Sequence, residues 1–100
     1  MSYEIVWTYD VASARREAFE RAYGADGDWA RLFARGDGFL EVVLLADAAV
    51  PGRYLTIDRW RDAASFERFQ AEHGDAYAAL DDDLANVSGR GTRVGGFVRR

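Results

Sequence analysis

Asp58 lies in the stretch Arg53–Trp60, where side-chain alternation puts it on one face with Tyr54, Thr56 and Trp60. A carboxylate among aromatic rings loses hydration, so its pKa rises. It can then take a proton from a phenol or an activated carbon acid. A substrate deprotonated in this way can reduce dioxygen by one electron without a cofactor. The face is greasy and polar at once, which suits the wall of a small-molecule pocket. The competing reading is structural: Asp58 pairs with an arginine, Arg31 or Arg35, or is solvated near the strand end.

His73 is the second candidate base, since its ordinary pKa is near neutrality. It follows Phe66 by seven residues and Phe69 by four, and so shares their apolar helical stripe. Its bland alternative is a charge that suits a helix C-terminus beside Gly74. Trp60, Trp29, Tyr54, Tyr23 and Trp7 could stack an aromatic ligand, and core packing is the alternative for each. Asp81-Asp82-Asp83 does not read as a metal site, because adjacent helical positions point in different directions. It reads as a solvated helix face. Gly89-Arg90-Gly91 and Gly95-Gly96 lack the strand-to-helix context of a phosphate loop. Gly95-Gly96 marks a bulge or a close backbone approach in the last strand.

Composition narrows the classes. One hundred residues make a single domain, 1–100, small enough for dimerisation to be a common remedy for marginal stability. There is no cysteine, which excludes disulfides and thiolate metal sites. A lone histidine makes a zinc site unusual, and no metal or cofactor is expected. The net charge of −4 argues against nucleic acid or an anionic membrane as a partner. Met1 to Thr8 has neither the basic nor the apolar region of a secretory signal, and the greasy run Phe39–Val50 is too short to span a bilayer. A soluble cytoplasmic protein is the expectation.

The elements that must position these residues follow from their periodicities. Tyr3–Tyr9 alternates as a strand. Ser13 is a plausible N-cap for a helix carrying Ala18, Phe19, Ala22 and Tyr23, and Gly24 ends it. Asp28 caps a short helix with Trp29, Leu32 and Phe33 on one face. Phe39–Ala46 is a nearly continuous apolar strand, which implies burial on both faces. A turn over Asp47–Gly52 pairs it antiparallel with Arg53–Trp60. Asp62 or Ser65 opens a helix that Gly74 interrupts, and a second helical segment carries Tyr77, Leu80, Leu84 and Val87. After a loop at Ser88–Gly91, Thr92–Arg99 is the last strand. This order is α+β, a ferredoxin-like βαββαβ unit with helices on one face of a four-stranded antiparallel sheet. The other face needs a cover too, and a second copy of the sheet would supply it.

In that order the residues resemble the antibiotic biosynthesis monooxygenase family. The resemblance is carried by Phe19-Glu20-Arg21-Ala22-Tyr23-Gly24, then Asp28-Trp29-Ala30-Arg31-Leu32-Phe33, then Gly38 and Arg53–Trp60, and it spans Tyr3 to Phe97. It implies a dimeric α+β barrel, with a pocket in each subunit between sheet and helices. Relatives include cofactor-free oxygenases of aromatic polyketides, in which an Asn and a Trp four residues apart on the third strand belong to the pocket. Here the Trp is kept as Trp60 and Thr56 stands in place of the Asn. The haem-degrading relatives carry an Asn on the first strand and a Trp and a His on the second helix. This chain has Val6 and Phe69 at two of those positions and His73 out of register, so haem degradation is not expected.

The expected function is therefore a cofactor-independent monooxygenase of an electron-rich aromatic molecule, with Asp58 or His73 as base. Tyr54, Thr56, Trp60, Trp29, Tyr23 and Phe69 are the expected substrate-binding residues. The alternative is a homodimeric protein of the same fold that binds a small hydrophobic molecule without turnover.

Overall fold

The computed structural model describes residues 1–100, with every side chain except that of Arg90. Four strands form one antiparallel sheet: β1 (Tyr3–Asp10), β2 (Phe39–Ala46), β3 (Arg53–Trp60) and β4 (Arg90–Val98), in the spatial order β2-β3-β1-β4. The helices α1 (Arg16–Tyr23), α2 (Asp28–Phe33) and α3 (Ala63–Ser88) connect them. This is the expected ferredoxin-like α+β fold. β3 is central, paired with β2 on one side and β1 on the other, so its inner face looks onto the helices from the middle of the sheet.

Several local details differ from the sequence reading. Ser13 starts a single 3-10 turn, Ser13–Arg15, and no side chain caps α1. Gly27, not Asp28, is the N-cap of α2, because the backbone there passes so close to the Arg21 and Ala22 carbonyls that no Cβ fits. Asp28 is the first helical residue and pairs with Arg31 at 3.0 Å. The interruption expected at Gly74 is present one residue earlier: two helical halves of α3 meet across a kink at the non-helical His73 (φ −125°, ψ 20°), and space around Gly74 is open. Asp62 caps α3 as expected, accepting from the Ser65 amide at 2.8 Å.

Two features of β4 follow from its glycines. The β1–β4 register shifts between Val6 and Trp7, which is a bulge. At Gly96 the strand passes close under the Tyr3 phenol, and a side chain there would displace that ring.

The inner sheet face and the helices enclose one aromatic core. Trp60, fully buried, meets Phe33, Phe39, Phe66 and Phe69 at centroid distances of 5.6, 5.4, 5.5 and 5.2 Å. At the other end of β3, Tyr54 packs on Phe19 at 4.8 Å, and Phe19 stacks on Tyr23 at 4.2 Å.

The outer sheet face is apolar and bare. Burial of β2 on both faces is not achieved within one chain: Val42 is buried on the helix side, while Leu45 is 50% exposed. Phe97 is 49% exposed. The helices can cover only one side of the sheet. At one end this outer face carries an ion network, in which Arg59 bridges Glu4 and Glu41, and Arg99 pairs with Glu4 at 2.8 Å. The hydrogen bonds from Arg99 and Ser2 hold the Glu4 carboxyl down at about 2. Among the described residues, no helix is long and apolar enough to cross a membrane.

Candidate active site

The inner face of β3 reads large, small, small, large: Tyr54, Thr56, Asp58, Trp60. The two rings fill the space above their ends of the strand. Thr56 and Asp58 cannot fill the middle, and a cavity of about 300 Å³ remains there. Its walls come from every layer. Trp7 and Tyr9 rise from β1, Tyr23 closes α1, Trp29 and Phe33 come from α2, and Tyr77 comes from the second half of α3. A smaller cavity of about 240 Å³ lies on the other side of Asp58 and shares Trp7, Phe33 and Tyr77 with the first.

Asp58 is the acidic group at the centre of this arrangement. Its cross-strand neighbours are Ile5 on β1 and Val42 on β2, both 2% exposed. Neither offers a hydrogen bond or a charge. Some Asp58 surface remains open, because the carboxyl faces the cavity, but packed protein surrounds it. Loss of hydration alone raises its pKa to about 7. An arginine partner would pull it down, and among the described residues none does so, Arg93 of the smaller cavity included. Arg31 is engaged with Asp28 and the Asp26 carbonyl on the outer side of α2. Arg35 lines a surface groove between α2 and α3.

The other polar groups at the cavity include hydroxyls, the indoles of Trp7 and Trp29 and the carboxylates of Asp81 and Asp82. The Trp29 Nε1–H is buried and leans toward the Tyr23 hydroxyl, yet no acceptor meets it in hydrogen-bond geometry. Burial raises the phenols of Tyr9, Tyr23 and Tyr77, with Tyr77 at about 12, and the Asp58 charge adds to each rise. All three therefore stay neutral donors at physiological pH.

Of the residues expected from sequence, Asp58, Thr56, Trp29 and Tyr23 meet at the cavity. Tyr54, Trp60 and Phe69 do not line it: each is buried in the ring packing at the ends of the cavity. The Tyr54 hydroxyl is turned to the Glu20 carboxylate on α1, at 2.6 Å. His73 rests its ring on Phe69 at 5.2 Å and lines no cavity, because the kink at its own position takes it off the inward stripe. Trp7, expected as a possible stacking ring, lines the cavity, whereas Tyr9, Phe33 and Tyr77 were not among the expected binding residues. The alternation of Tyr3, Ile5, Trp7 and Tyr9 was a signal for Tyr9. Asp81 and Asp82 reach the cavity mouth, and among the described residues no cluster of metal-ligating side chains is formed.

The model of one family, antibiotic biosynthesis monooxygenase, matches residues 2–80. The chain belongs to the antibiotic biosynthesis monooxygenase family. Solved structures agree with this membership. A variant of SnoaB, a cofactor-independent oxygenase from Streptomyces nogalater, is 27% identical over 99% of this chain and 93% of that chain, with a TM-score of 0.77. PA3566 from Pseudomonas aeruginosa shares the fold at 21% identity and a TM-score of 0.66, over 99% of this chain and 94% of that chain. A conserved protein from Methanosarcina mazei shares it at 10% identity and a TM-score of 0.71, covering 100% of this chain and 94% of that chain. Comparison with curated protein sequences found no match. In the cavity between β3 and the helices, the Asp58 carboxylate, hydroxyls and aromatic walls converge.

Proposed function

We propose that this chain is a cofactor-independent monooxygenase of an electron-rich aromatic molecule bound in the cavity beside Asp58. The observation that supports it best is the unpaired, desolvated carboxylate of Asp58 facing an aromatic-walled space. A pKa of about 7 is near the working pH, where a general base is most effective.

The substrate class follows from the walls. Trp7, Trp29 and the tyrosines accept a planar ring system by stacking. A phenol or anthrone offers a proton acidic enough for a carboxylate to remove. Asp58 takes it, and the Trp29 Nε1–H and the Thr56 hydroxyl donate to the oxygen on which the negative charge develops. The electron-rich anion passes one electron to dioxygen. Superoxide and the substrate radical then join through a new C–O bond. For an anthrone, the second proton leaves that carbon as the O–O bond breaks, giving a carbonyl, and the other oxygen atom leaves as water with the proton Asp58 had held. One oxygen atom of dioxygen is thus found in the product.

The functional unit in this reading is a homodimer. Two bare outer faces, each with Val43, Leu45, Leu55, Ile57 and Phe97, pack sheet on sheet and remove apolar surface from water. The net charge of −4 does not suit nucleic acid or an anionic membrane as a partner.

The test is oxygen uptake by the purified protein with a panel of anthrones and quinols, with ¹⁸O₂ to follow the inserted atom. Uptake with one labelled oxygen in the product supports the reading. Saturable binding with no uptake across the panel would instead make the chain a small-molecule-binding protein of the same fold.

A further inference from the structure

Among the described residues, the charged side chains lining the cavity described above all carry the same sign. α3 faces it with Tyr77, Asp81, Ala85 and Ser88, at spacings that keep them on one stripe of a helix. Along this stripe Tyr77 is half-buried and Ser88 buried, while Asp81 and Ala85 are exposed, so the Asp81 carboxylate stands where the cavity meets solvent. Asp82, the next residue, also lines the space. Among the described residues, the lining holds three carboxylates, Asp58, Asp81 and Asp82, and no arginine. The negative field reaches the walls: the charges of Asp58 and Asp81 both push up the phenols of Tyr9, Tyr23 and Tyr77, and Arg93, in the adjoining smaller cavity, offsets a lesser part of this at Tyr77.

Acidic side chains alone would be an unremarkable solvated surface. The aromatic rings beside them, and the unpaired carboxyl of Asp58 aimed into the same space, give them a ligand to face. Indole and phenol rings present negative faces, and these attract a cation in the same direction as the carboxylates do. An anionic group entering here would meet repulsion from both.

We propose that the molecule bound in this cavity carries a basic amine, held at the mouth between Asp81 and the aromatic rings, while its own ring system reaches Asp58. This rests on the function proposed above and names its substrate class more closely. The two ends of the cavity have separate tasks. An amine beside Asp58 would pair with it and leave a poor base. An amine at Asp81 leaves Asp58 free and fixes which end of the substrate enters first.

Three naphthols that differ only in one substituent test this by titration calorimetry at pH 7 and low salt: an aminomethyl, a hydroxymethyl and a carboxymethyl derivative. The amine is expected to bind at least about tenfold tighter than the carboxylate, with the neutral compound between them. In Asp81→Asn the ratio of amine to neutral affinity is expected to fall at least about threefold. Asp82→Asn, as a second variant, shifts the ratio in the same direction. Equal binding of amine and neutral compounds, or tightest binding of the carboxylate, overturns the amine and leaves the oxygenase reading standing. A loss in Asp81→Asn that is the same for all three compounds also overturns it, as a structural effect. Binding of none of them overturns both readings.

Discussion

Asp58 stands directly across the β2–β3 ladder from Val42, and both open onto the aromatic cavity. Ile5 occupies the matching place on the other side. A carboxylate thus sits between two aliphatic neighbours at the centre of a sheet, where hydration is weak and, among the described residues, no counter-charge replaces it. In the proposed function this pairing is what suits Asp58 to the role of base.

The same pairing carries a stability cost with a defined pH dependence. The folded chain holds the Asp58 proton up to about pH 7, while the unfolded chain releases it at an ordinary carboxylate pKa of about 4. Stability from this group is full below about pH 4 and is lost as pH rises through about 7. Asp58→Asn removes that loss. The variant is expected to be more stable than the parent at pH 8, on the order of 1–4 kcal/mol, with the difference shrinking toward pH 4. Urea unfolding at several pH values measures it.

Trp60 is a core residue by position, so its truncation is expected to act on stability. Trp60→Ala should cost about 3–5 kcal/mol, because four rings lose their common partner. Trp60→Phe should cost less, since it also removes an indole N–H that is buried without an acceptor. In thermal unfolding Trp60→Phe should lower the midpoint, while ligand affinity at the cavity stays within about twofold.

Tyr54 and Glu20 tie β3 to α1 through a 2.6 Å hydrogen bond. Tyr54→Phe and Glu20→Gln should each cost about 0.5–1 kcal/mol, since Glu20 is exposed and water replaces part of the interaction. In a double-mutant cycle the two losses should not add.

The bare outer face predicts self-association. The parent chain is expected to scatter light as a dimer at micromolar concentration. Leu45→Glu with Phe97→Glu should yield a monomer, because two carboxylates would then be buried against their own copies. A parent chain that is monomeric under those conditions would remove the sheet-on-sheet dimer from the account.

Much of this fold was legible in the sequence because the strands alternate cleanly and their breakers are unambiguous. β2 and β3 begin and end where the glycines and Pro51 place them. The site was legible only in part. Alternation put Tyr54, Thr56, Asp58 and Trp60 on one face, but it cannot tell which of them meets packed rings and which meets empty space. That depends on Phe19 and on the cluster of Phe33, Phe39, Phe66 and Phe69, which three other elements bring in. His73 showed the same difficulty in a helix, where a single kinked residue turned a well-spaced side chain away from the cavity. Tyr77 and Asp81 lie beyond that kink, so their approach to β3 could not be read from the spacing of either half alone.

The most direct measurement is the pH dependence of oxygen uptake on a responsive anthrone, compared between the parent chain and Asp58→Asn. The rate in the parent is expected to rise with pH through a single ionisation near 7, as Asp58 becomes the available base. In Asp58→Asn it should fall by about a hundredfold or more and lose that ionisation. A variant that keeps the parent's rate and its pH profile would contradict the account.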